Sequence, residues 1–284
     1  MRQTSAYRSR RARRRQRSRV LGVGILLVLV SLIASAAFFF WWMTSDQMEL
    51  DRDTMCPTDA PPAGYHAILI DSTDSFNEIQ RAFIQRELQS FFDAVEPGHL
   101  LSLYALDSLP TRQLEPEFAL CNPGRPASGL SDWLYQNPRE LEKRWRAEFH
   151  APLTEVLSAL LAADEKASSP IMEMLQAVSV SAFGQVEDSG VVRKKRLMIV
   201  SDLLQNTSAY SHYSGNRQAI EEFLVSPAFQ QVRADLTGVQ VHVLYVRRSY
   251  GRTQGVQGRR HIRFWEQLIS SMGGSLQSVT TIPG

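Results

Sequence analysis

The chain has 284 residues, 44% hydrophobic and 21% charged, enough for one sizeable core or two small ones. Its net charge of +2 conceals two opposite parts: nine arginines and no acidic residue fall in the first 19 positions, and removing those nine from the 31 basic residues leaves 22 against 29 acidic ones, about −7. Two cysteines, Cys56 and Cys121, exclude a cysteine-rich scaffold and a four-cysteine zinc site.

Residues 1–19 form a basic tail. Such a tail suits a nucleic-acid arm, a nuclear address or the cytoplasmic flank of a membrane helix, and the next segment chooses among them. Val20 to Met43, VLGVGILLVLVSLIASAAFFFWWM, is 24 residues without a charge, about 36 Å as a helix and long enough to cross a hydrocarbon core. Phe38 to Trp42 set an aromatic cluster at its far end, as at a membrane interface. A cleaved signal peptide would have a shorter apolar region ending in small residues. The arginines precede the span, and Asp46, Glu49, Asp51, Arg52 and Asp53 follow it. By the positive-inside rule the tail stays cytoplasmic and the rest is exported. The expectation is a single-pass protein of a bacterial inner membrane with a periplasmic domain. Its tail would touch anionic lipid, and no nucleic-acid partner is expected.

Residues 44–64 are polar and proline-bearing (DAPPAG) and predict a stalk. In an exported domain Cys56 and Cys121 permit one disulfide; two buried thiols are the alternative. From residue 65 to 284, apolar runs alternate with helical patterns. That alternation predicts an α/β fold with a doubly wound, mostly parallel sheet. Strands are expected at about Tyr65–Ile70, His99–Leu106, Arg196–Ser201, Val239–Val246 and Leu276–Thr281, with a short edge strand near Glu117–Cys121. Helices are expected over Phe76–Val95, Pro138–Phe149, from Pro152 to about Ala163, and over Arg259–Met272. Asn137, Ser169 and Ser226 each precede a proline and are expected helix caps.

The first strand runs into Asp71-Ser72-Thr73-Asp74-Ser75, at the carboxyl end where open α/β sheets bind ligands. One carboxylate and two hydroxyls spaced D-x-T-x-S could converge on a hard cation; the plainer reading is capping of the following helix. The RLMIV strand ends in Ser201-Asp202, and Ser169 opens the helix before it.

On these residues the chain resembles the von Willebrand factor A family over about Tyr65 to Pro283. The resemblance implies a metal-ion-dependent adhesion site made by Asp71, Thr73, Ser75, Ser169 and Asp202. It also implies Mg²⁺ as the cation, with Mn²⁺ and Ca²⁺ as alternatives, and a protein partner that offers an acidic side chain to the metal. Such a site recognises and does not catalyse. Three departures stand out: Leu203 where a glycine usually follows the last Asp, Pro170 after the middle hydroxyl, and a helical insert at about 122–167. Leu203 is poorly suited to positive φ.

The segment QNTSAYSHYSG after Asp202 has the composition of adaptable contact loops, which makes Asn206, Tyr210, His212 and Tyr213 candidate partner contacts. The six histidines show no zinc spacing, and no P-loop, G-x-S-x-G or C-x-x-C is present. The expected function is a membrane-anchored binding module in an envelope-associated complex, not an enzyme. One alternative is a structural assembly component whose site holds no metal. Another is a metal-dependent phosphohydrolase of haloacid dehalogenase type, which needs an Asp where Thr73 stands and a lysine for which Lys194 or Lys195 is the only nearby candidate.

Overall fold

The computed structural model describes residues 26–41, 50–73, 75–106, 114–124, 138–162, 168–184, 192–213, 219–248 and 255–282. Two units are separated between Glu49 and Leu50. In the first, residues 26–41 form one helix whose large apolar side chains, among them Leu26, Ile33, Phe38 and Trp41, are exposed. Within it the backbone groups pair i to i−4, apart from those of the first and last turns. Among the described residues no helix is long and apolar enough to cross a membrane; positions 20–25 and 42–43 of the expected span lie outside them.

The second unit is a mixed α/β domain. Its strands are β1 Gly64–Asp71, β2 Leu100–Leu106, β3 Phe118–Cys121, β4 Lys194–Ser201, β5 Val239–Val246 and β6 Ser275–Ile282. They form one sheet in the order β3-β2-β1-β4-β5-β6, parallel except for β3, which runs antiparallel to β2 at an edge. All eight residues of β1, GYHAILID, are buried, as expected of a strand covered on both faces.

One face is covered by α1, Glu78–Asp93, and by the insert: α2, Pro138–Arg144, a π-helical stretch Trp145–His150, and α3, Ala151–Leu160. Ile84 and Leu88 of α1 pack there with Trp145, Phe149, Leu153 and Leu157 against Ile68 and Ile70 of β1 and Leu103 of β2. The other face carries α4, Ile171–Val178 with a π-helical extension Ser179–Phe183, then α5, Ile220–Leu224, α6, Pro227–Val232, and α7, Arg259–Ser271. Met174, Phe223, Phe229 and Trp265 pack there on Leu69, Ile199 and Val243.

Several expectations are corrected. Pro152 does not separate two helices: the Ala151 N–H reaches back to the Arg146 carbonyl, an i→i−5 step, and the proline falls in the first turn of α3, where its missing N–H costs little. Residues 50–64 are not a free stalk. The Asp51 carboxylate accepts from the N–H groups of Asp53 and Thr54 and from the Thr54 hydroxyl. Met55 is buried in the core, Ala63 N–H donates to the Gly98 carbonyl, and Cys56 is joined to Cys121 of β3, Cα to Cα 4.9 Å. Asn77, inside the expected first helix, is the cap of α1, in a reciprocal capping box with Gln80. Ser226 caps α6 as expected; Asn137 lies outside the described residues.

Candidate functional site at the carboxyl end of the sheet

Strand order reverses between β1 and β4, which both pair with parallel neighbours. The crevice beyond their carboxyl ends is where doubly wound sheets bind ligands. Asp71, the last residue of β1, is 4% exposed. Its Oδ1 accepts from the Thr73 hydroxyl at 2.6 Å and the Thr73 N–H at 3.1 Å. Its Oδ2 accepts from the Ser201 hydroxyl at 2.6 Å and, more loosely, from the Ser169 hydroxyl at 3.5 Å. Because Asn77 caps α1, these side chains are not engaged in capping that helix.

Asp202, 2% exposed, follows β4. One of its oxygens accepts from the Leu204 N–H at 2.8 Å; the other faces Arg248, whose Nε lies 3.4 Å away. Arg248 follows β5 and is also buried, and its Nη1 donates to the Ser75 carbonyl at 2.7 Å. Gln257 fixes this arrangement: Oε1 accepts from the Arg248 N–H, and Nε2 donates to the Asp202 and Val246 carbonyls. Thus Asp71, Thr73 and Ser169 meet directly. Asp202 connects to Ser75 through Arg248, by way of the Ser75 backbone, while Ser75 itself is exposed.

Ser169 is not the cap of α4. Pro170 holds that position with no side-chain cap bond, and the Met172 N–H is satisfied by Gln205 Oε1 at 2.9 Å. The reason is a short bridge: Ser169 and Asn206 exchange two backbone hydrogen bonds, and the hydroxyl of Ser169 is left to face Asp71.

Leu203 takes φ +59°, a conformation costing roughly 1–2 kcal/mol for a residue with a Cβ. Helix α7 braces it. Trp265 Nε1 donates to the Leu203 carbonyl at 2.9 Å, and His261 Nε2 lies 3.0 Å from the same oxygen. The Tyr245 hydroxyl lies 2.8 Å from His261 Nδ1, and Trp265 Nε1 also points at His261 Nε2, 3.2 Å away. Burial pushes the Tyr245 phenol pKa up, so its hydroxyl stays protonated. His261 and Trp265 stand one turn apart on the same helix face.

The loop after Asp202 is tied down. His212 is 3% exposed and meets His261 and Phe264 edge-on, so it belongs to the interior and not to a contact surface. Tyr210 stacks on Phe264 at 5.6 Å. Asn206 and Tyr213 are half-buried, and among the described residues of the loop the exposed positions are Ser208 and Ala209. The aromatic side chains pack here because α7 offers an apolar face.

Sequence reasoning missed Ser201, Arg248, Gln257 and Gln205. Ser201 was readable as the hydroxyl beside Asp202. The other three are ordinary polar residues whose role depends on long-range approach. Among the described residues no group of three or more His, Cys, Asp or Glu could hold a metal; the donors gathered here are two carboxylates with hydroxyls. As oxygen-only donors from separate segments, Asp71, Thr73, Ser75, Ser169 and Asp202 fit a hard divalent cation in chemical type.

No family model matches the chain, and no curated protein matches it. Among solved structures, proximal thread matrix protein 1 from the mussel byssus is similar at 11% identity and TM-score 0.38, over 78% of this chain. The chain spans only 43% of that protein. An aerotolerance-related membrane protein from Bacteroides fragilis, carrying multiple mutations to serines, is similar at 9% identity and TM-score 0.35, over 77% of this chain and 91% of its own.

Proposed function

We propose that the chain is a membrane-anchored recognition module of von Willebrand A type. It docks a protein partner through the carboxyl end of its sheet, as a component of an envelope-associated complex. The observation that supports this most is the meeting of Asp71 with hydroxyls from three segments, Thr73, Ser169 and Ser201, at the switch point. In this reading Asp71, Thr73, Ser75, Ser169 and Asp202 hold Mg²⁺ or a similar hard cation, and the chemistry such an ion supplies is an open coordination position for a partner's carboxylate. Thr73 and Ser201 keep the Asp71 carboxylate oriented, and Leu203, held by Trp265 and His261, turns the chain away from Asp202.

The anchor in this proposal is the 24-residue apolar run from Val20 to Met43, with the arginine tail on the cytoplasmic side against anionic lipid and the domain outside. The phosphohydrolase alternative is disfavoured by geometry. Lys194 and Lys195 begin β4, roughly 20 Å along the strand from Ser201, and Lys194 is paired with Glu96 at 2.7 Å.

The test is co-purification of the full-length protein from membranes with and without chelator, comparing wild type with Asp71→Asn, whose fold is verified by circular dichroism. A partner lost on chelation and absent with D71N is the expected result. Equal capture in all conditions would show that recognition does not use the cation.

A further inference from the structure

We infer that Arg248 is a resident cation of this site that competes with a divalent metal for Asp202, so that the metal affinity is set by how readily the guanidinium releases that carboxylate. The inference rests on the cation reading given above and adds the residue that governs it. Arg248 and Asp202 are both buried, their side chains 8% and 2% exposed. A buried pair stays closed because opening it leaves each charge poorly solvated.

The guanidinium is held from several sides: Asp202 Oδ2 at 3.4 Å, the Ser75 carbonyl at 2.7 Å, and the Phe76 ring, whose centroid is 5.7 Å from Cζ. Gln257 anchors the backbone of Arg248 and the carbonyl of Asp202 together. The planar fork therefore spans the loops after β1 and β4, both of which supply candidate metal oxygens. A divalent ion ligated through Asp202 would be brought close to this positive charge. The like-charge cost either weakens the ion's hold or expels the guanidinium. The same contact gives the loops a defined geometry without metal.

The experiment is a Mn²⁺ titration of the full-length protein in detergent, followed by electron paramagnetic resonance, with Mg²⁺ competition, for wild type, Arg248→Gln and Arg248→Lys. Glutamine carries no charge and ends about where Arg248 Nε lies, short of the Ser75 carbonyl that Nη1 reaches, so R248Q is expected to bind Mn²⁺ at least tenfold more tightly than wild type. R248K retains a point charge that cannot hold Asp202 and Ser75 as a planar fork does, and should bind at least threefold more tightly; it carries the test alone if R248Q does not fold. Wild-type binding that neither folded variant strengthens overturns the role of Arg248 while leaving the cation reading intact. No binding in any of the three proteins overturns the cation reading, and this inference with it. Binding seen only once the arginine is replaced is the strongest support.

Discussion

The two ends of the sheet bury polar groups by opposite means. At the carboxyl end, Asp71 and Asp202 are surrounded by donors: three hydroxyls, backbone N–H groups and a guanidinium. At the amino end, His66 and His99 face each other at 2.9 Å, and His66 is 1% exposed, its Nδ1 without a hydrogen-bond partner among the described residues. Burial, with Arg196 and His99 nearby, pushes the His66 pKa down to about 3. The acidic end stabilises carboxylates with donors, whereas the amino end keeps its buried His66 neutral, with half-buried Arg196 over the Phe91 ring and the Glu96–Lys194 pair at the surface. Donors ordered around the carboxylates fix their orientation; a neutral His66 packed edge-on to Phe91 serves the core. Gly64 fits this second role, since a Cβ there would lie 2.4 Å from the His99 ring.

Three perturbations test the contrast. The largest effect is expected at the amino end, where Cys56 and Cys121 are 65 positions apart. Replacing both by serine should cost about 4 kcal/mol by the loop-entropy estimate, read as a shift in urea midpoint, with the carboxyl-end hydrogen bonds preserved. A loss under about 1 kcal/mol would mean that residues 50–64 are held by their other contacts.

Acid comes next. His66 is neutral in the folded state and has an ordinary pKa near 6.5 unfolded. Its contribution is therefore complete above pH 6.5 and is lost as pH falls from there toward about 3, at roughly 1.4 kcal/mol per unit. By pH 4 wild type should lose about 3 kcal/mol more than His66→Gln. Parallel stability profiles for the two proteins would contradict a neutral buried His66.

The smallest effect concerns the acidic end. Leu203→Gly and Leu203→Ala both delete a buried side chain, but only glycine adopts φ +59° without strain. The glycine variant should be the more stable by about 1 kcal/mol, the reverse of their usual order. Alanine equal to glycine in chemical denaturation would mean that the turn relaxes once the side chain is gone.

The strands were legible because a parallel sheet writes itself as apolar runs: β5 falls on Val239–Val246 as expected, and β1, β2, β4 and β6 fall within two residues of expectation at each end. The edge strand showed its brevity, though not its antiparallel direction, which depends on pairing with β2. Asp71, Thr73 and Asp202 could be picked out because strand ends announce themselves. Arg248 could not, since an arginine after a strand is usually a solvated turn and only its reach to Asp202 and Ser75 reveals its use. Gln205 was hidden likewise, a side chain that serves the start of a helix more than 30 residues earlier. Pro152 misled because proline rules assume i→i−4 bonding, and the preceding turn had abandoned it.

The covalent link between Cys56 and Cys121 has a mechanical consequence. Cys121 pairs in register with Leu100 at the start of β2, so tension applied at Leu50 passes into the edge of the sheet at its amino end. It would be borne by the sulfur bridge and by the β2–β3 ladder. The loops carrying Asp71 and Asp202, a strand's length away, would feel little of it. The hold on residues 50–64 thus lies at the amino end of the sheet, opposite the loops that carry Asp71 and Asp202.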